Sequence, residues 1–84
     1  MNQLLLFSAP WCGPCTAMKP VVREIISQCN IDLRDINVDE DTNLAIEYKI
    51  RQIPTLLILR DDQEIDRLVG SHNSQKIKEF ISQI

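Results

Sequence analysis

The apolar residues that form strands occur in short runs and in one alternating stretch. The continuous runs Leu4–Phe7 and Thr55–Leu59 are typical of strands buried on both faces. Apolar residues at 31, 33, 36 and 38 alternate with polar ones and predict another strand between those two. Ile65–Val69 follows the polar turn Arg60–Gln63 and predicts the second arm of a hairpin, although the turn lacks an Asn-Gly or Asp-Gly pair.

A helix is predicted from about Gly13 to Cys29, because apolar residues recur there at 18, 22, 25, 26 and 29. Pro20 lies inside this pattern and should bend the helix rather than end it, since the period continues beyond it. Asn30 is a suitable residue for the end of the helix. On this interpretation Cys29 continues the apolar stripe and is a buried structural thiol.

Two further helices complete the predicted order β-α-β-α-β-β-α. A short helix should begin at Asp41 or Thr42 and run to about Tyr48 or Lys49. Asn73 should cap a last helix, and the residues expected on its apolar face are Ile77, Phe80, Ile81 and Ile84. A helix joins the first two strands, so they should be parallel with a right-handed crossover. With no linker, internal repeat or low-complexity segment, residues 1–84 are predicted to form one domain.

Composition and charge exclude several classes of function. The 84 residues carry a net charge of −3 with both signs interspersed, so there is no basic surface for nucleic acid. The start of the chain lacks the basic residues of a secretory signal, and no run approaches the roughly 20 apolar residues of a membrane span. Three cysteines are an odd number and too few for a disulfide scaffold. We therefore expect a cytoplasmic protein that does not bind membranes.

The chemistry of the chain is concentrated in Trp11-Cys12-Gly13-Pro14-Cys15. Cys12 falls where a predicted strand gives way to a helix, and the free N–H groups and the dipole at that end favour a thiolate. Cys15 is one turn away and can close onto Cys12 as a disulfide. Pro14 occupies a first-turn position that tolerates proline. This arrangement predicts a reversible redox pair.

A metal site and two inert core thiols are the alternatives for this pair. A zinc site takes four ligands, and the chain offers only Cys29 and His72 in addition. Cys29 would lie about 21 Å from Cys15 along the predicted helix, too far for one ion. A metal shared between two chains is left open by this argument. His72, just before the last helix, is interpreted as an exposed loop histidine.

Two separate motifs carry a resemblance to the thioredoxin family. Residues 11–15 are followed by Pro20, and Ile53-Pro54-Thr55 opens the third strand. Four other residues occupy positions usual in that family: Asn37, Asp39, Tyr48 and Gly70. The resemblance runs from about Leu4 to the C-terminal residue. It implies an α/β thioredoxin-like fold, in which a mixed four-stranded sheet of order 2-1-3-4 has helices on both faces. It also implies a disulfide at the C-terminal edge of the sheet and a cis Ile53–Pro54 bond against Cys12.

The resemblance further implies a thiol–disulfide oxidoreductase that reduces protein disulfides. Cys12 would attack the substrate disulfide and Cys15 would resolve the mixed disulfide, without a cofactor or metal. The residues expected to bind substrate are Trp11, Gly13, Pro14, Ile53, Pro54, Val69 and Gly70. The implied partners are disulfide-containing proteins and an NADPH-dependent flavoprotein thioredoxin reductase, and we expect a monomer. Two alternatives stay open: a glutaredoxin-like enzyme that uses glutathione, and a protein-docking module that uses the same cleft without catalysis.

The sequence departs from the family pattern in four places. The first strand and helix of a full-length thioredoxin are absent from it. Leu6 replaces the buried aspartate that lies six residues before the first cysteine, and Asp35 replaces the lysine that usually faces that aspartate. Ser8 stands where an aromatic residue is common. We therefore expect the Cys15 proton to pass to water or to a more distant group such as Asp35.

Overall fold

The computed structural model describes all residues from Met1 to Ile84 and contains seven elements. Their order is β-α-β-α-β-β-α, which confirms the prediction. The elements are β1 Asn2–Ser8, α1 Gly13–Ile26, β2 Asp32–Asn37, α2 Thr42–Glu47, β3 Thr55–Arg60, β4 Gln63–Val69 and α3 Ser74–Ile81. None of the three helices is both long and apolar enough to cross a membrane.

The four strands form one mixed sheet in the order β2-β1-β3-β4, as predicted. Strands β1 and β2 are parallel, from Gln3 opposite Asp32 to Ser8 opposite Asn37. The other two pairs, β1 with β3 and β3 with β4, are antiparallel. The ends of β1 and β2 therefore share one edge of the sheet with the beginning of β3 and the end of β4.

Strand β1 is buried on both faces and separates two apolar layers. Leu4 and Leu6 face a cluster that includes residues of α1 and α3, such as Met18, Val22 and Ile77. Their neighbours Leu5 and Phe7 face the opposite side, where Leu44 and Tyr48 of the α2 segment pack. This alternation follows from the period of two along a strand, and it accounts for the uninterrupted apolar run. The helices therefore lie on both faces of the sheet.

The first helix is shorter than predicted, and this corrects the interpretation of Cys29. Helix α1 continues through Pro20 but ends at Ile26, and residues 27–30 form turns. The N–H of Cys29 donates to the Ile26 carbonyl oxygen at 3.0 Å, a three-residue turn that takes its side chain off the apolar stripe. Cys29 is consequently an exposed free thiol and not a buried structural one.

The other predicted helix starts and the hairpin agree with the structure. The side-chain oxygens of Asp41 and Asn73 accept hydrogen bonds from the first-turn N–H groups of α2 and α3. The β3–β4 turn consists of Asp61 and Asp62, with φ of 52° and 68°. Positive φ at both central residues is typical of the type I′ hairpin turn, whose backbone twist matches that of the two strands. Aspartate tolerates positive φ better than most residues. The hairpin thus forms without the usual Asn-Gly pair.

Arg67 connects strand β4 to the end of helix α2. Its guanidinium binds both carboxylate oxygens of Glu64, at 2.6 and 2.7 Å, and donates to the Tyr48 carbonyl oxygen at 2.8 Å. Tyr48 ends a six-residue helix with no fully buried residue, so α2 gains little stability on its own. Beside Arg67, the pKa of the Glu64 carboxyl lies below its usual value because it accepts hydrogen bonds from the guanidinium.

Leu6→Asp should destabilise the fold by about 2–4 kcal/mol near neutral pH, because Leu6 is fully buried in an all-apolar cluster. Burial would raise the folded-state pKa of the new carboxyl above its unfolded value of about 3.9. The destabilisation should be smallest below that unfolded pKa and should grow as the pH rises towards the folded pKa. Denaturant melts from about pH 3 to 8 measure the free energy of unfolding. Leu6→Asn is the control, since it loses the same packing without ionising; a flat pH dependence for both variants would contradict the prediction.

Arg67→Met should lower the free energy of unfolding by about 1 kcal/mol at neutral pH, because it removes the links to Glu64 and Tyr48. The Glu64 pKa is depressed in the folded state, so its contribution is complete above the unfolded pKa and disappears as the pH falls through the folded pKa. The difference in the free energy of unfolding between the wild type and Arg67→Met should therefore become smaller at acid pH. Arg34→Met, at an exposed residue of β2 that forms no side-chain hydrogen bond or ion pair, is the matched control and should have a smaller effect.

Candidate active site

Cys12 is the N-cap residue of helix α1, and its sulfur acts as the capping acceptor. Its backbone is extended, with φ −90° and ψ 107°, and its Sγ accepts a hydrogen bond from the Cys15 N–H at 3.2 Å. The N–H groups of a first helical turn have no partner inside the helix, so they stabilise negative charge placed there. Pro14 in the same turn has no N–H to satisfy. This position favours the thiolate form of Cys12 in the reduced protein.

Cys12 and Cys15 form a disulfide, with their Cα atoms 5.3 Å apart. Burial distinguishes the two residues: Cys12 is 6% exposed and Cys15 is fully buried. Of the two residues, only Cys12 therefore keeps any exposed surface. Gly13, between them, is exposed, and a Cβ added to it would meet no atom within 4 Å. Close packing is not the reason for a glycine at this position.

Residues distant in the sequence surround the disulfide. Ala9 forms a small buried cluster with the two cysteines, and Val38 and Ile53 pack against this cluster. The Ile53–Pro54 bond is cis and Pro54 is fully buried. The predicted neighbour Ile53 is thus brought against the cysteine pair.

The end of β4 joins the same region through the backbone. The Gly70 N–H donates to the Pro54 carbonyl oxygen at 2.8 Å, and Val69 pairs with Thr55 across the strands. Gly70 has φ of +90°, which a residue with a side chain rarely adopts. His72, expected to be exposed, is only partly exposed, and its Nε2 lies 2.9 Å from the Val69 carbonyl oxygen. The structure therefore brings Gly70 to Pro54 and Val69 to Thr55, while their role in substrate binding stays a prediction.

Trp11 lies on the surface beside the disulfide and is not part of the core. Its side chain is 69% exposed, and the indole N–H donates to Asp39 Oδ2 at 2.7 Å. Asp39 is held in turn, because its backbone N–H donates to the Asn37 side chain at 2.9 Å. Next to the indole is a cleft of about 190 Å³, lined by Trp11, Val38, Ala45, Ile50, Arg51, Gln52 and Ile53.

Sequence reasoning did not include Asp39, Arg51 or Gln52 among the site residues. Asp39 follows the end of β2, the strand parallel to and beside β1. The carboxyl ends of adjacent parallel strands meet at one edge of a sheet. The position of Asp39 after β2 could therefore have indicated that it lies near the loop that follows β1. Arg51 and Gln52 precede Pro54 directly, and only the fold reveals that they line a cleft.

A cavity larger than the cleft beside Trp11 lies elsewhere and does not belong to this site. It has a volume of about 680 Å³ and is lined by residues from the C-terminal half of α1, the turn after it and α3, among them Ile25, Cys29 and Ile81. Cys12 is at the opposite end of α1, so this cavity is remote from the disulfide. No group of three or more His, Cys, Asp or Glu side chains is arranged to hold a metal ion.

Comparisons with known proteins give a consistent result. A family model described as Thioredoxin matches residues 1–83. Thioredoxin 1 of Synechococcus elongatus is 46% identical over 70 residues, and the match covers 81% of this chain and 65% of the relative. A thioredoxin of Staphylococcus aureus is 35% identical over 81 residues, covering 94% of this chain and 78% of the relative. The chain thus spans slightly less than two thirds of the cyanobacterial relative.

Two solved structures agree with these sequence matches. A mutant thioredoxin from Halobacterium salinarum NRC-1 superposes with a TM-score of 0.90 at 34% identity, covering 98% of this chain and 73% of that one. The thioredoxin 3 of yeast mitochondria has the same TM-score at 27% identity, covering 99% of this chain and 78% of that chain. These matches do not favour a glutaredoxin-like enzyme or a docking module without catalysis.

Cys12 should react with iodoacetamide faster than Cys15 in the reduced protein, because Cys12 caps the helix and is the less buried of the two. The exposed Cys29 would also be labelled, so the experiment requires a Cys29→Ser background. Labelling at about pH 6, where an ordinary thiol is mostly protonated, followed by peptide mapping gives the order of reaction. Preferential labelling of Cys15 would reverse the assignment.

Proposed function

Since this chain belongs to the thioredoxin family, we propose that it is a thiol–disulfide oxidoreductase that reduces the disulfides of other proteins. The observation that carries this proposal is the Cys12–Cys15 pair at the start of α1, in which Cys12 keeps a small exposed surface and Cys15 is fully buried. Such a pair can exchange a disulfide with a substrate while the second thiol stays out of reach of other oxidants.

The reaction takes place in two thiol–disulfide exchanges. The Cys12 thiolate attacks one sulfur of the substrate disulfide, forming a mixed disulfide and releasing the other substrate sulfur as a thiolate. Cys15 then loses its proton and attacks the Cys12 Sγ, which releases the second substrate thiolate and leaves Cys12–Cys15 oxidised. The two released thiolates take up protons, so two electrons pass from the protein to the substrate.

Water is the proposed acceptor of the Cys15 proton. Leu6 offers no carboxylate, and the Asp35 carboxylate forms an ion pair with Arg23 at 2.7 Å. One oxygen of Asp35 is thus already bound to a guanidinium, so the more distant acceptor considered from the sequence becomes less suitable. The outer surface of the proposed substrate site consists of Trp11, Gly13, Pro14 and Val69, with the Ile53–Pro54 segment and Gly70 behind them.

Regeneration of the dithiol requires an external reductant. We propose an NADPH-dependent flavoprotein thioredoxin reductase for this step, with the glutathione and glutaredoxin system as the competitor. The cytoplasm, where such reductants keep thiols reduced, is the proposed compartment, and a monomer is the proposed state. Turnover with NADPH and a flavoprotein reductase, but not with glutathione alone, would distinguish the two.

Three cysteine variants test the proposal in an insulin-reduction assay. Cys12→Ser should abolish turnover, whereas Cys15→Ser should accumulate a mixed disulfide with the substrate that is visible by mass spectrometry. Cys29→Ser is the matched control and should keep nearly full activity, because Cys29 lies beyond the far end of α1. A folded Cys12→Ser protein that still reduced insulin would refute the proposed mechanism.

A further inference from the structure

Gln52 lies between two parts of the proposed substrate site. On one side it lines the cleft beside Trp11. On the other side its Nε2 lies 3.9 Å from the point where a Cβ on Gly70 would stand, so the carboxamide extends over the Gly70 backbone. The next residue, Ile53, packs against the cysteine cluster. Gln52 is therefore a long polar side chain that lies between the cleft beside Trp11 and the Gly70 backbone.

The backbone that carries Gln52 is fixed. The Gln52 carbonyl oxygen accepts a hydrogen bond from the Thr55 hydroxyl at 2.6 Å, and two residues further on the Pro54 carbonyl oxygen accepts the Gly70 N–H. Thr55 and Pro54 are both buried. The side chain thus projects from an anchored segment, so binding would order the side chain without also having to order the backbone that carries it.

The carboxamide itself is free to bind a ligand. It is exposed, and none of the side-chain hydrogen bonds of the protein involves it. A carboxamide presents one acceptor oxygen and two N–H donors, which complement the C=O and N–H of a peptide group. Every residue of a substrate protein except proline carries those two groups, whatever its side chain, so a carboxamide at this position can recognise the main chain of many substrates.

We propose that Gln52 is a specificity-determining residue that hydrogen-bonds the main chain of the substrate segment next to its disulfide. It thereby favours disulfides in polypeptides over small disulfides without peptide groups. The inference rests on the proposed function and adds to it the chemical class of preferred substrate. The adjacent charged groups are arranged differently: Asp39 is bound to the Trp11 indole, and the Arg51 guanidinium carries N–H donors but no acceptor.

The test compares two disulfides of different chemistry, insulin and the non-peptide 5,5′-dithiobis(2-nitrobenzoate). Second-order rate constants are measured with prereduced wild type, Gln52→Met and Gln52→Ala. The methionine variant keeps the length and bulk of the side chain without its hydrogen bonds. Both variants should reduce insulin about three- to tenfold more slowly, the effect of one lost hydrogen bond, with the rate for the small disulfide unchanged. Gln63→Met, at the far end of the sheet, is the matched control and should be unchanged with both.

Each remaining outcome contradicts the inference. Equal losses on both disulfides would mean that Gln52 acts on the cysteines or the fold and not on the substrate main chain. Wild-type rates for Gln52→Met would mean that its polar atoms are not used. Should the variants fail to fold, the wild-type protein can be tested with disulfide peptides N-methylated beside the cysteine, which must lose the same factor. Failure of the proposed function is distinct, since wild type would then reduce neither insulin nor the small disulfide.

Discussion

The burial of strand β1 on both faces, with a hydrogen-bonded neighbour at each edge, is the constraint on which the remainder of the structure depends. A shift of one residue in its register would exchange Leu4 and Leu6 with Leu5 and Phe7, so that both apolar layers would lose their complementary surfaces. This register also sets where the chain leaves the sheet. Ser8 ends opposite Asn37, so the loop that carries Cys12 emerges next to the end of β2. The core and the reactive site are therefore determined by the same pairing.

Features that are local in the sequence were predicted from it, whereas contacts between distant segments were not. The seven elements and their order follow from short apolar runs and helical spacing, and Cys12 and Cys15 are only three residues apart. The parallel pairing of β1 and β2 follows from the helix that joins them, whereas the meeting of Pro54 with Gly70 could be expected only through the family resemblance. The hydrogen bonds from Trp11 to Asp39 and from Arg67 to Tyr48 span 28 and 19 residues. The apolar periodicity of the sequence gives no indication of the partners in these two hydrogen bonds.

Cys29 shows why the pattern alone was misleading. Its spacing from Val22 and Ile25 fits a helix, and a thiol is compatible with a core. The backbone nevertheless leaves the α-helix after Ile26, because the final residues close three-residue turns. The end of a helix depends on such competing hydrogen bonds, which apolar periodicity does not record. Gln52, which lines the cleft beside Trp11, was missed for a related reason, since only the fold shows which residues surround an exposed polar side chain.

The spacing of the reactive pair also determines how the protein responds to peroxide. A thiolate oxidised to sulfenic acid condenses readily with a thiol within reach, and otherwise it can proceed to the irreversible sulfinic and sulfonic acids. Cys15 is one helical turn from Cys12, so a sulfenic acid on Cys12 would be captured as the disulfide that the catalytic cycle already contains. Cys29 has no such neighbour and is exposed. Oxidation at the reactive pair would accordingly stay reversible, whereas irreversible sulfinic and sulfonic acids would accumulate at Cys29.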